Sequence, residues 1–407
     1  MSSISAVLIV KNEAHRLAAC LEALRAVADE IVVLDTGSTD ETEETALGFT
    51  GKVHHFAWRG DFAAARNAAV ACAAGDWVIS IDADEVMEAP ADARARLVAF
   101  AAEHDPSWVG TIELFSPTGP GADAAVVRDR LERFFHRGVY RFEGVIHEQL
   151  VPAAGGAKRA AATGVRVRHF GYAQAADAPD HKALRNIPLL RRALDARPDD
   201  EYLLHQLGKA HFSLRQYAAA AVAFEQALAA IRFAPGAPPQ GRDGPVARVV
   251  LSDLVITLAY TYANLNRTVQ SLQLLERHAA LAHPGVRCAD FPHALGYVHL
   301  MLGHVAESKA AYERSLEWGG GAEDVLGTGS FSSEYHLGLL SEAENDVPAA
   351  WRHYAAALRH KADYRPVLSR CVGLAAERGA GMPEEILRVA DRTALEQLLT
   401  GQRRGVT

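Results

Sequence analysis

Trp77-Val78-Ile79-Ser80-Ile81-Asp82-Ala83-Asp84-Glu85 decides the fold, because an apolar run the length of one buried strand ends abruptly in carboxylates. In an extended strand alternate side chains share a face, so Asp82 and Asp84 are expected to point off the carboxyl edge of a sheet into one crevice. Paired carboxylates there suit a hard divalent cation and the phosphates it bridges. Upstream, Ile31-Val32-Val33-Leu34 also ends in acid, at Asp35-Thr36-Gly37-Ser38-Thr39-Asp40, and the two strand ends are expected to lie side by side and face one nucleotide.

Outward from that stretch, strands at 5–10, 30–35, 52–56 and 77–82 alternate with helices at 13–26, 40–48, 61–74 and 90–103. This alternation predicts a mostly parallel sheet with helices on both faces. From Trp108 to Phe170 strand-like pieces at 110–115, 131–136, 139–142 and 165–170, separated by turns such as the Gly/Pro-rich 116–121, predict mixed or antiparallel strands that receive an acceptor. After Gly171-Tyr172 an Ala-rich helical periodicity runs to the end. Leu204, Leu207, Gly208, His211, Ala220, Phe224 and Ala227 have the small-and-large spacing of a tetratricopeptide hairpin, in which Gly208 and Ala220 let two helices touch. Looser copies centre on Leu258-Ala259-Tyr262, on Leu295-Gly296-His299 with Tyr312, and on Leu337-Gly338 with Ala350 and Tyr354, with an inserted loop from Pro235 to Pro245. The expected architecture is an α/β domain over 1–172, a linker helix over 173–200, about four repeat hairpins over 201–365, and capping helices and tail over 366–407, including one helix from Pro383 to Leu399.

Composition narrows the function classes. The 407 residues are 49% hydrophobic and 23% charged, ordinary material for two or three packed domains. A net charge of −8 with no Lys/Arg block argues against a nucleic-acid partner. The opening run Ile4 to Val10 meets Lys11-Asn12-Glu13 with no cleavage site, so it reads as a first strand, and no apolar run has the ~20 residues of a membrane helix. Cys20, Cys72, Cys288 and Cys371 are scattered, which fits reduced thiols and a cytoplasmic location.

Val10-Lys11-Asn12-Glu13, Asp35 to Asp40, Asp61-Phe62-Ala63-Ala64-Ala65-Arg66-Asn67 and Asp82-Ala83-Asp84-Glu85 resemble, in order and spacing, the family 2 glycosyltransferases of the GT-A fold. The resemblance extends to members with tetratricopeptide repeats, among them peptide S-glycosyltransferases of the sublancin type. The resemblance covers about the first 170 residues and reaches the tail through its repeats. It implies a GT-A (Rossmann-like, mostly parallel) domain followed by an all-α solenoid, acting as an inverting, metal-dependent transferase that moves one sugar from a nucleotide donor, UDP by expectation, to a peptide, protein or cell-envelope glycan.

Asp35 is expected to accept from the base or ribose of the nucleotide, the bland alternative being a cap, for which Ser38 or Asp40 is better placed. The resemblance adds Lys11, Asn12 and Glu13 to the nucleotide-binding set. Arg66 shares a helix face with Asp61 and Phe62; it either turns toward the diphosphate, as its family position implies, or pairs with its own helix. The resemblance also implies that Asp84 ligates Mn2+ or Mg2+ directly, that Asp82 meets ribose or a metal-bound water, and that His169 completes the metal shell. In Gly144-Val145-Ile146-His147-Glu148-Gln149, Glu148 is the expected acceptor base and His147 its rival. Arg130 and Arg133 either line the acceptor cleft or form a solvated strand face, and the histidine pair His54-His55 reads as structural.

Two other classes use some of these parts. A sugar nucleotidyltransferase also sets acids at strand ends but brings a Gly-rich loop, which Val10-Lys11-Asn12-Glu13 lacks. A scaffold would keep the repeats and let the front domain decay, whereas Asp82, Asp84, Glu148 and His169 are all present. The repeat region suits a peptide ligand or a homodimer.

Overall fold

The structure, a computed structural model, describes residues 3–117, 125–170, 181–231, 245–279, 288–319 and 323–404. It divides into two compact units, one over Met1–Pro120 and Val126–Pro198 and one that includes Asp199–Thr407.

The first unit alternates β1 (Ile4–Val10), α1 (Ala14–Arg25), β2 (Glu30–Asp35), α2 (Thr42–Leu47), β3 (Val53–His55), α3 (Phe62–Ala71), β4 (Trp77–Ser80), β5 (Glu85–Met87) and α4 (Pro90–Glu103). It continues through β6 (Trp108–Pro117), β7 (Val126–His136), β8 (Tyr140–Glu143), β9 (Gln149–Pro152), β10 (Arg159–His169) and α5 (His181–Ala196). Eight strands form one sheet in the order β3-β2-β1-β4-β7-β6-β10-β5, and β8 pairs with β9 separately. The first four are parallel; β7 runs antiparallel to both β4 and β6, β10 is parallel to β6, and β5 antiparallel to β10.

Strand periodicity sorts the core. Ile4, Ala6, Leu8 and Val10 of β1 pack on one face with Leu17, Leu21 and Leu24 of α1 and Leu97 and Phe100 of α4. Val7 and Ile9 turn to the other face, against Ala63, Ala65 and Ala69 of α3 and Tyr140, Phe142 and Leu150 of the β8–β9 hairpin. Small alanines let α3 lie close to the sheet, which puts Arg66 underneath the carboxyl edge.

Two expectations need correcting. The acid-ended strands β2 and β4 are not neighbours, since β1 lies between them. The strand expected to reach residue 82 ends at Ser80, so Asp82 and Asp84 sit in a turn and do not alternate along a strand. The short strands β5 and β9 were not anticipated.

In the second unit α6 (Glu201–Ser213) pairs with α7 (Tyr217–Ala230), α8 (Pro245–Asn264) with α9 (Thr268–Arg277), α10 (Asp290–Met301) with α11 (Val305–Trp318), and α12 (Phe331–Ala343) with α13 (Val347–His360). One device recurs at the helix contacts. Gly208 lies on the Phe224 ring, Gly296 on Tyr312 and Gly338 on Tyr354, and an added Cβ at any of the three would meet that ring at 3.0 Å or less. Where Ala220 and Ala350 fill the next close position in two hairpins, Ser271 and Ser308 fill it in the others, and their hydroxyls donate to the carbonyls of Ala259 and Gly296, each at 2.8 Å. After α14 (Arg365–Glu377), the expected single terminal helix is two, α15 (Glu384–Val389) and α16 (Arg392–Arg404). Ala390 is extended, with ψ 141°, and Asp391 restarts the helix by accepting from the Ala394 N–H at 2.8 Å. Residues 118–121 of the expected turn, Gly171-Tyr172, 173–180 of the expected linker helix, and 235–244 of the expected loop lie outside the described residues.

Candidate active site

The carboxyl edge begins with Asp35, the buried last residue of β2. Its Oδ1 accepts from the N–H groups of Gly37 and Ser38, both at 2.7 Å, with Gly37 at φ +105°. Oδ2 is buried and has no donor among the described residues. A buried carboxylate oxygen left this way is costly unless a ligand supplies an N–H or O–H. Asp40 instead serves backbone, accepting from Thr42 at 3.1 Å and from Ala14 at 3.3 Å.

At the end of β1, Asn12 takes φ +56° and clasps the next loop: its Oδ1 accepts from the Thr39 N–H at 2.7 Å and its own N–H donates to Ser38 Oγ at 3.0 Å. The side chain assigned to the nucleotide thus shapes the loop around Asp35. Lys11 is exposed at the same strand end. Glu13 opens α1 and lies within electrostatic reach of Asp84; burial first, then that like charge, raises its pKa.

Arg66 neither pairs with Asp61 nor reaches solvent. Asp61 caps α3, accepting from the Ala64 N–H at 2.9 Å. The Arg66 guanidinium, almost fully buried, donates to Ser80 Oγ at 2.8 Å, to Asp82 Oδ1 at 2.7 Å and through Nε to Glu148. Arg133 donates to Asp82 Oδ2 at 3.0 Å, so it belongs to this buried network and not to a solvated strand face. Burial would raise the Asp82 pKa, but the two guanidinium groups hold it far below the carboxylate range. Glu85, which accepts from the Asp82 N–H at 3.0 Å, is pushed up to about 7 by burial. Asn67 bonds both ways with the Phe142 backbone at 2.9 Å, docking α3 on β8 next to the Gly144–Gln149 loop. There His147 adopts φ +49°. The expected base Glu148 therefore stands one guanidinium away from Asp82.

Asp84 faces another partner. Strand β10 pairs with β5 so that His169 lies opposite Glu85, and the Phe170 N–H donates to the Asp84 carbonyl at 2.8 Å. This pairing brings His169 Nε2 to 3.1 Å from Asp84 Oδ2 across the long gap in sequence. Two cis ligands of an octahedral cation at ~2.1 Å stand about 3 Å apart, so the pair fits one edge of a Mn2+ or Mg2+ shell whose other positions phosphate and water would fill. Were Nε2 to take a cation, the ring proton would sit on Nδ1, where Ser116 Oγ at 3.1 Å is placed to accept it. Burial raises the Asp84 pKa, but His169 and Lys182 outweigh it and hold the carboxyl at about 2. Lys182 of α5, whose Nζ is 2.7 Å from Asp84 Oδ2, has no sequence signal that points to it. Ser116 was missed for the same reason, since only the sheet brings it to the site, whereas Ser80 and Glu85 stand beside Asp82 and Asp84 in the sequence but were given no role.

The Glycosyl transferase family 2 model matches residues 5–137. A TPR repeat-containing protein of Synechococcus elongatus is 31% identical over 307 residues, covering 73% of this chain and 69% of its own. The SPbeta prophage-derived glycosyltransferase SunS of Bacillus subtilis is 26% identical over 204 residues, covering 50% of this chain, which spans only 47% of that relative. Among solved structures, glucosyl-3-phosphoglycerate synthase from Mycobacterium tuberculosis in complex with Mg2+ and uridine-diphosphate is 25% identical with a TM-score of 0.24, covering 28% of this chain and 44% of the other.

Proposed function

The chain belongs to the family 2 glycosyltransferases that carry tetratricopeptide repeats, and from that premise we propose that it transfers one sugar, with inversion, from a uridine-type nucleotide donor to a peptide or protein. Mn2+ or Mg2+ would be held by Asp84 and His169. The observation that carries this reading is Asp35 Oδ2, buried with no donor among the described residues, on the strand two places from the one that leads into the Asp84–His169 pair. Two strand spacings are about 10 Å, the scale of a nucleotide lying across the edge from base to diphosphate. Uracil offers an N3–H to Asp35, whereas cytosine offers only a lone pair there. Lys11 and Glu13 flank the same edge, and Asn12 supports it through the loop.

The cation, when bound, supplies Lewis-acid stabilisation of the departing diphosphate. The protein's own groups do the rest. Arg66 and Arg133 fix Asp82 beneath the donor, and Arg66 pins one oxygen of Glu148. The acceptor heteroatom bonds to the anomeric carbon as the bond from that carbon to the diphosphate oxygen breaks, its electron pair leaving with the diphosphate. The acceptor proton passes to the second oxygen of Glu148. His147 is the alternative recipient.

A peptide acceptor is supported by the first helices of the hairpins, which in repeats of this kind line the ligand-binding side; here Tyr260 of α8 and Tyr297 of α10 stack edge-on at 5.7 Å. Incubating the chain with UDP-sugars and a peptide library, with Mn2+ or with EDTA, tests the proposal by mass spectrometry. Metal-dependent mass gain on peptides is expected. Gain only on envelope glycans would overturn the acceptor class, and consumption of a sugar 1-phosphate with a nucleoside triphosphate would overturn the reaction.

A further inference from the structure

Lys182 occupies the place where a cation has to act. Its Nζ lies 2.7 Å from Asp84 Oδ2 and 3.3 Å from His169 Nε2, closing a triangle with the 3.1 Å contact between those two atoms. The Asp84 and His169 side chains are 7% and 12% exposed, but that of Lys182 is 41% exposed, so the ammonium reaches the buried pair from the solvent side. The contact involves the oxygen that a metal would take. An ammonium at 2.7 Å and a dication at ~2.1 Å from one oxygen would lie within a few ångströms of each other, and two like charges at that range repel strongly in a part-buried site.

We infer that Lys182 is a built-in counter-ion that competes with the divalent cation for Asp84 and, once displaced by it, pairs with the diphosphate of the donor. The inference rests on the metal reading of Asp84 and His169 given above. Its logic is charge balance. Without donor, Asp84 is neutralised by Lys182. With metal and donor bound, the diphosphate brings negative charge to the same edge, and a displaced ammonium on the first turn of α5 has three donors to offer it. Metal and nucleotide should therefore bind cooperatively, each removing the cost of moving Lys182.

The test is Mn2+ binding to the full chain, read by the electron paramagnetic resonance of free Mn2+, together with UDP binding by calorimetry, for wild type, Lys182→Met and Asp84→Asn. An apparent Kd equals the intrinsic one divided by the competent fraction, so a lysine parked on Asp84 about nine-tenths of the time weakens Mn2+ binding about tenfold. Lys182→Met should thus bind Mn2+ alone up to about tenfold more tightly than wild type, bind UDP about tenfold more weakly at saturating Mn2+, and lose most of the cooperativity between them. Unchanged thermal melting shows that the exposed stem was not holding the fold. Mn2+ affinity equal in wild type and Lys182→Met, with Asp84→Asn binding none, overturns the role of Lys182 and leaves the metal reading intact. Absence of Mn2+ binding in wild type and Lys182→Met alike, with and without UDP, overturns both.

Discussion

At the scale of single residues the site works by giving each carboxylate a different environment. Asp82 is locked between Arg66 and Arg133, Asp84 faces His169 and Lys182, and Asp35 keeps one buried oxygen without a donor among the described residues. Asp84→Asn should abolish Mn2+-dependent transfer while leaving the melting temperature nearly unchanged, because the amide is a poor ligand but a good isostere; transfer at the wild-type rate in saturating Mn2+ would refute the assignment. Glu148→Gln should leave donor binding intact and lower kcat by about 10² to 10⁴, the range of general-base catalysis. Should His147→Ala give that loss and Glu148→Gln not, the histidine is the base. The sequence made these groups legible only as far as local motifs run. Asp84 was singled out from the strand-ending acids, yet the reason given for it, alternation along a strand, does not hold, because the chain turns after Ser80. Lys182 and Ser116 were illegible because pairing between β10 and β5 brings His169 to Asp84, and no local pattern reports long-range pairing.

At the scale of elements, the parallel strands and their helices were readable because each is buried by a period that the sequence repeats. Strands β5 and β9 were not, because Glu85 and Gln149, their first residues, read as the ends of the acidic motif and of the Gly144–Gln149 stretch. In the tail, the glycine-on-aromatic contact makes an opposed pair of predictions. Gly338→Ala should destabilise the second unit by about 1 to 3 kcal/mol, the cost of overpacking, because the new methyl would run into the Tyr354 ring. Gly373→Ala, also in a helix, meets only the Arg370 guanidinium at 3.5 Å, an ordinary contact, and should stabilise by about 0.5 to 1 kcal/mol through helix propensity and loss of unfolded-state entropy. Urea melts of both variants check the pair. Equal effects would show that the Gly338 contact does not restrain the helices. The break between α15 and α16 escaped the sequence reading because one extended residue, Ala390, leaves the apolar spacing on either side undisturbed.

At the scale of the whole molecule, the two-part organisation is the most legible property of the chain, since the pattern switches from strand and helix to helix alone. Its pH response is less so. The buried His293 ring contacts Tyr312 and His336, and burial, then the His336 charge, pushes its pKa down to about 3 from an ordinary 6.5. The unfolded chain takes up that proton below pH 6.5 and the folded chain refuses it until about 3. Stability from this group is therefore complete above pH 6.5 and is lost as pH falls through that window, at up to about 1.4 kcal/mol per pH unit. His293→Gln should flatten the loss of melting temperature between pH 6.5 and 4, and an unchanged slope would place the acid sensitivity elsewhere. The separation of sheet and repeats also predicts a separation of roles, because every group assigned to donor and base comes before residue 198, inside the first unit. Gln206 of α6 and Tyr297 of α10 lie on first helices of the repeats and are half-buried, and Gln206 is a cleaner target than Lys209, which donates to Asp253 of α8 at 3.0 Å and whose loss would remove one partner of that carboxylate. Gln206→Ala and Tyr297→Ala should raise the acceptor KM severalfold while leaving slow hydrolysis of the sugar nucleotide by water unchanged, since that reaction needs the donor and metal but no acceptor. If hydrolysis falls and acceptor KM holds, the repeats support the catalytic groups and do not select the peptide.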